Sequence, residues 1–205
     1  MCFLAETDSI SGVPLLSTKI PSFSEAGTTM SQIPAKYAWL EREGAPRMLV
    51  EALALYGTAE IKGNASNPTI LAWAKEIGVS NAYTNENIPW CGLAMAVVAK
   101  RAGKEPPHDP LWALNWRNFG KAPDKPMLGD VLIFTRTGGA HVTLYVGEDD
   151  TAFHCLGGNQ GDRVCIERIP KSRQHWARRP LYTTQPLNVR VVHLAATGAL
   201  SLKED

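Results

Sequence analysis

An α+β fold, with N-terminal helices packed on an antiparallel β-sheet meander, follows from a change of hydrophobic period along the chain. In the first half apolar residues recur at helical spacing. In the second they alternate, or run in short blocks between turn residues. Met48, Leu49, Ala52, Leu53 and Tyr56 form the first helical stripe, which Gly57 ends. Asn67 is placed to cap a second helix, with Pro68 in its first turn. Ile70, Trp73, Ala74 and Ile77 are its buried face and Gly78 its stop. A third helix is expected from near Cys91 to Gly103, with Lys100 and Arg101 suiting the negative end of its dipole. Pro106, Pro107 and Pro110 then forbid regular structure.

The strands begin at 131–134, an apolar block after the Gly129-Asp130 turn. The segment 141–147 alternates, with His141, Thr143 and Tyr145 on one face and Val142, Leu144 and Val146 on the other. Asp149-Asp150 turns the chain into 152–156. The Gly-rich loop 157–162 leads to a strand at 163–169, and 176–179 is one more.

A chain of 205 residues is long enough for one well-buried core without metal or disulfide staples. The expected domain spans 34–180. Residues 1–33 read as a flexible leader, because ten Ser or Thr fall between Thr7 and Ser31 without helical period. Residues 181–205 read as a C-terminal tail that holds an edge strand at 189–194. Formal net charge is +1, and 44% of residues are hydrophobic, which argues against a disordered tail or a nucleic-acid binder. Four Cys are too sparse for a disulfide scaffold. No apolar run approaches the ~20 residues that span a bilayer. The first basic residue is Lys19 and the early apolar stretches are short, so no Sec signal is expected.

Cys91 carries the chemistry. It stands at a helix start in Ile88-Pro-Trp-Cys-Gly, where unpaired N–H groups and the helix dipole favour a thiolate and can stabilise an oxyanion. A packed, inert thiol is the commoner fate of a lone Cys, and position at a helix start is what argues for function. His141, opening a strand after Gly138-Gly-Ala, is the candidate base. His154, in mid-strand nearby, is its rival, or else a substrate contact. The group that orients the imidazole is expected to be Asn159, in Leu156-Gly-Gly-Asn-Gln, with its neighbour Gln160 left open.

Pro89-Trp-Cys-Gly opening a helix, Gly138-Gly-Ala-His-Val-Thr-Leu-Tyr-Val-Gly and Leu156-Gly-Gly-Asn-Gln resemble the CHAP/NlpC-like cysteine peptidases. These are papain-like in fold, and the likeness is greatest to phage- and toxin-associated peptidoglycan hydrolases. It covers about 46–180 and includes Gly57-Thr-Ala-Glu-Ile-Lys-Gly, Leu114-Asn-Trp and Gly129-Asp-Val. It departs at Leu93-Ala-Met, where such families often carry larger aromatic side chains. The resemblance implies a Cys-His-polar triad at Cys91, His141 and Asn159. It also implies metal-free cleavage of an amide bond in bacterial cell-wall peptide, as a stem-peptide endopeptidase or an N-acetylmuramoyl-L-alanine amidase.

Trp90, Trp112 and Trp116 surround the site in sequence, so Trp90 and Trp116, with Gln160 and His154, are candidate substrate contacts. Six Lys or Arg against two Asp or Glu in 160–180 suggest a basic rim or a solvated face. Cys155 and Cys165 read as packed thiols. With no Cys-x-x-Cys or His-x-x-x-His pair, neither zinc nor any other cofactor is expected. The expected partner is peptidoglycan, with no nucleic acid and no membrane span; the chain is expected to act as a monomer. Synthesis in the cytoplasm would be followed by action in the periplasm or wall. Release through a phage holin and delivery as an antibacterial effector, with a cognate immunity protein, both fit. Two other readings use the same residues: an inactive wall- or partner-binding protein, and a cysteine deamidase or acyltransferase.

Overall fold

The computed structural model describes residues 33–202 apart from 64 and 137. The proposed leader therefore lies, but for Ile33, outside the described residues. A 3-10 helix at Ala35–Arg42 precedes helices α1 (Arg47–Ala54), α2 (Pro68–Ile77) and α3 (Cys91–Arg101). A second 3-10 helix, Ala113–Asn118, leads to strands β1 (Val131–Arg136), β2 (Gly139–Glu148), β3 (Ala152–Gly157), β4 (Cys165–Pro170) and β5 (Gln174–Arg178). The result is an α+β architecture built on one antiparallel five-stranded sheet, ordered β4-β3-β2-β1-β5. Among the described residues, no helix is long and apolar enough to cross a membrane.

The caps explain why the helices stop where they do. Asn67 Oδ1 accepts a 2.8 Å hydrogen bond from the Thr69 N–H, and Gly78 closes α2 in the left-handed region. Helix α3 is buried continuously from Cys91 to Ala99, as a helix apolar on all sides must be. It packs against α1, α2, β2 and β3. Truncating its fully buried Leu93 to alanine is worth about 2–5 kcal/mol.

The strands β1 to β4 form the expected meander, but β5 does not extend it. It crosses back to pair with β1 on the opposite edge. Pro170 and the 3-10 turn Lys171–Arg173 lead the chain away from β4. Alongside β1, Trp176 then packs on the main core and Ala177 on the smaller one. This pairing also covers what would be an open edge. The apolar block 131–134 is buried on both faces: Val131 and Ile133 belong to the main core, Leu132 and Phe134 to the second.

The described part of the segment expected as a tail, 181–202, is docked on the domain. Val189 is buried, and Val192 and Leu194 pack on the main core. Glu148 donates its N–H to Val192 O and accepts from the Leu194 N–H, so the expected edge strand becomes one isolated bridge. Ser201 N–H binds Arg168 O, and Lys36 Nζ binds Thr197 O. Its apolar residues, sparse in sequence, find their partners only in three dimensions.

Candidate active site

Cys91 is the first residue of α3, following a turn at Trp90 (φ −120, ψ 14), and its side chain lines a cleft of about 380 Å³. Gly92 is required beside it. A Cβ there would lie 2.4 Å from Pro110 O and 2.5 Å from Leu111 O, so only glycine lets the 109–112 loop close over the helix start. Burial by itself raises the thiol pKa. A hydrogen bond and charge from His141, with the backbone N–H groups of Val142 and Gly92 directed at the sulfur, more than reverse that. The balance holds the Cys91 thiol below its ordinary value, toward thiolate.

His141 stands opposite Phe134 near the start of β2 and is 1% exposed. Its Nε2 lies 3.0 Å from Gln160 Oε1. The other end of that amide is fixed, because Gln160 Nε2 donates to Cys155 O at 3.1 Å and to Cys165 O at 2.7 Å. The carbonyl oxygen must therefore face the histidine. In the neutral ring Nε2 carries the proton, which leaves Nδ1 to serve the thiol.

Gln160, not Asn159, thus orients the imidazole. Asn159 occupies the left-handed region at φ +55, a conformation asparagine tolerates, and forms the turn that presents Gln160. The Gly157-Gly158 pair brings this loop close. A Cβ on Gly158 would meet Ala94 Cβ at 2.6 Å and the Trp90 ring at 2.7 Å. The sequence signal was the Gly-Asn turn itself: asparagine makes the turn, and the next polar side chain is the one delivered inward.

The other candidates part from the cleft. Trp90 is fully buried, with its indole N–H donating to Glu60 Oε1 at 2.5 Å and its ring against Trp73. Trp116 is also fully buried and donates to Pro110 O at 2.9 Å. Of the three tryptophans near the site in sequence, Trp112 is the one that lines the cleft. His154 is buried in another network. Its Nε2 lies 3.0 Å from Asp149 Oδ2 and its Nδ1 2.6 Å from the Tyr37 hydroxyl. Arg168 Nε binds the same Asp149 oxygen at 2.8 Å. The Asp149 carboxyl is held well below the ordinary range. Burial opposes this, but Arg168, Thr151 and His154 outweigh it. Gln160, a candidate substrate contact, is fully buried.

The basic residues of 160–180 do not form one open rim: Arg168 and Arg179 are buried, Lys171, Arg173 and Arg178 half-buried, and Arg163 exposed. Arg168 serves Asp149, Arg179 makes a two-pronged pair with Asp130 at 2.9 and 2.8 Å, and Arg178 donates to Phe119 O and Gly120 O. Sequence reading also missed Glu86, whose carboxylate accepts from the Ile61 and Asn67 N–H groups and ties the 81–87 loop to the start of α2. Among the described residues, no group of three or more His, Cys, Asp or Glu converges as a metal site.

Chemically, the arrangement supplies a thiol with thiolate character, an imidazole to carry a proton, and an amide to fix that imidazole. The unpaired N–H groups of a helix start lie beside the sulfur. No protein-family model and no curated protein matches the chain.

Proposed function

We propose that this chain hydrolyses an amide bond in bacterial cell-wall peptide by thiol catalysis. The observation that carries the reading is the continuous chain from the Cys91 thiol through His141 to Gln160, set at a helix start and opening into a cleft. The resemblance of its three motifs to CHAP/NlpC-like peptidases supplies the substrate class.

In this reaction His141 takes the Cys91 proton, and the sulfur attacks the carbonyl carbon. The N–H groups at the start of α3 stabilise the oxyanion. His141 then protonates the leaving amine, which leaves a thioester on Cys91. Water, deprotonated by the same imidazole, releases the acid and restores the thiol. Gln160 keeps Nδ1 toward the sulfur throughout.

The test is digestion of purified Gram-negative peptidoglycan with wild type, Cys91→Ala and His141→Ala, with products identified by mass. New muropeptides from wild type alone are expected. A Cys91 that alkylates rapidly while the wall stays intact would overturn the wall-hydrolase reading and direct attention to protein deamidation or acyl transfer.

A further inference from the structure

Trp112 is 63% exposed on the rim of the Cys91 cleft. An indole left in water forgoes the burial its area would gain, and four features hold this one in place. Asp109 adopts a left-handed φ of +48, a conformation aspartate tolerates, and its carbonyl accepts from the Trp112 N–H at 3.1 Å. Asn115 Nδ2 donates to His108 O at 3.2 Å and to Asp109 O at 3.1 Å. Trp116 Nε1 anchors Pro110 O, and Gly92 makes room for the carbonyls of Pro110 and Leu111. The 108–112 loop is thus a stiff mount that keeps an aromatic face beside the nucleophile. Among the described residues the remaining lining is apolar or glycine, apart from one carboxylate at Asp109 and one guanidinium at Arg136.

We propose that Trp112 is the platform for a sugar ring on the acyl side of the scissile amide, resting on the hydrolase reading above. The bond cut is then the one between the muramoyl lactyl group and the first alanine, not one within the stem peptide. A pyranose presents a C–H face that stacks on an indole while its hydroxyls stay in water. The stem peptide beyond its first residue carries several carboxylates and an ammonium, whereas the described lining is mainly apolar, with Asp109 and Arg136 as its charged members. The lactyl acyl group passes to Cys91 Sγ as a thioester, and the alanine amine leaves with the proton from His141. Water then yields the lactyl carboxylate and the free thiol.

Two measurements test this. In the first, N-acetylglucosaminyl-N-acetylmuramic acid is titrated into Cys91→Ala, with and without Trp112→Ala, and followed by saturation-transfer NMR. Transfer to the sugar C–H protons that disappears with Trp112→Ala is expected; equal transfer to both proteins, or to neither, overturns the platform. In the second, wild type, Trp112→Phe and Trp112→Ala act on the disaccharide tetrapeptide and on the sugar-free tetrapeptide. The expected products are intact tetrapeptide and free disaccharide, with KM raised about tenfold by Trp112→Ala and largely restored by Trp112→Phe. Cleavage within the sugar-free peptide that is indifferent to Trp112 overturns the proposal. If wild type cuts neither substrate, the hydrolase reading fails, and the binding measurement still decides the platform.

Discussion

Replacing Gln160 by methionine keeps the length and volume of the side chain and removes its polar end. Three hydrogen bonds to oxygen or nitrogen go with it, to Cys155 O, Cys165 O and His141 Nε2 at 3.1, 2.7 and 3.0 Å, besides a long contact to Cys165 Sγ. At about 1 kcal/mol each in net terms, the folded state loses about 3 kcal/mol. For a chain of this size that lowers Tm by roughly 6–12 °C. The chemical effect is separate. The Gln160 carbonyl stabilises the protonated imidazole more than the neutral one, and so supports the thiolate–imidazolium pair. Its loss is expected to raise the acid limb of Cys91 alkylation against pH by about one unit. The assay is iodoacetamide labelling across pH with peptide mass readout, beside urea unfolding. Asn159→Gly is the matched control, because glycine accepts φ +55; it is expected to stay within about 0.5 kcal/mol with an unchanged limb. An unchanged limb and melting temperature for Gln160→Met would refute the assignment, as would Asn159→Gly reproducing the shift.

Cys91 is expected to alkylate well before Cys165 at pH 7. Burial and the Glu167 charge push the Cys165 thiol up to about 11, while Cys91 is held low; short labelling pulses read by mass decide this. Gly92→Ala is expected to displace the Pro110 and Leu111 carbonyls, cost about 1–3 kcal/mol in urea unfolding and alter access to Cys91. Stability is expected to fall with acidification in two stages. Burial holds the His154 pKa below its ordinary value, so protons favour the unfolded chain once pH drops below about 6.5. The depressed Asp149 pKa adds a further loss below about pH 4, and calorimetric melts across pH read both. Ending the chain at Pro180 is expected to lower Tm or abolish soluble expression, because it removes buried Val189 and the backbone bonds to Glu148 and Arg168.

Local signals carried much of the architecture. The Asn67 cap, the start of α3 at Cys91 and the blocks that became β1 to β4 are each set by a few neighbouring residues and a strict period. What escaped depends on distance. The return of β5 to β1 rests on Trp176 finding the main core, and the docking of 181–202 on contacts with Glu148 and Arg168. Within the site, Cys91 and His141 are marked by motif and position, and the geometry brings them together. Sequence favours Asn159 over Gln160, because turn chemistry and orienting chemistry draw on the same residue types. Only the two carbonyl anchors of the Gln160 amide separate those roles. The tryptophans were indistinguishable in sequence, since burial follows from the path of the 108–112 loop and not from local composition.

That loop also gives the protein an optical property. Of its six tryptophans, Trp73, Trp90 and Trp116 are buried, Trp39 and Trp176 are half-covered, and Trp112 alone is exposed. The red edge of the intrinsic emission, and the fraction quenched readily by acrylamide, should therefore come mainly from one residue at the mouth of the cleft. A blue shift on adding a molecule would report occupancy beside Cys91 without any label, and Trp112→Phe supplies the dark reference. The same spectrum followed through unfolding would separate loosening of this loop from collapse of the core, where the buried indoles lie.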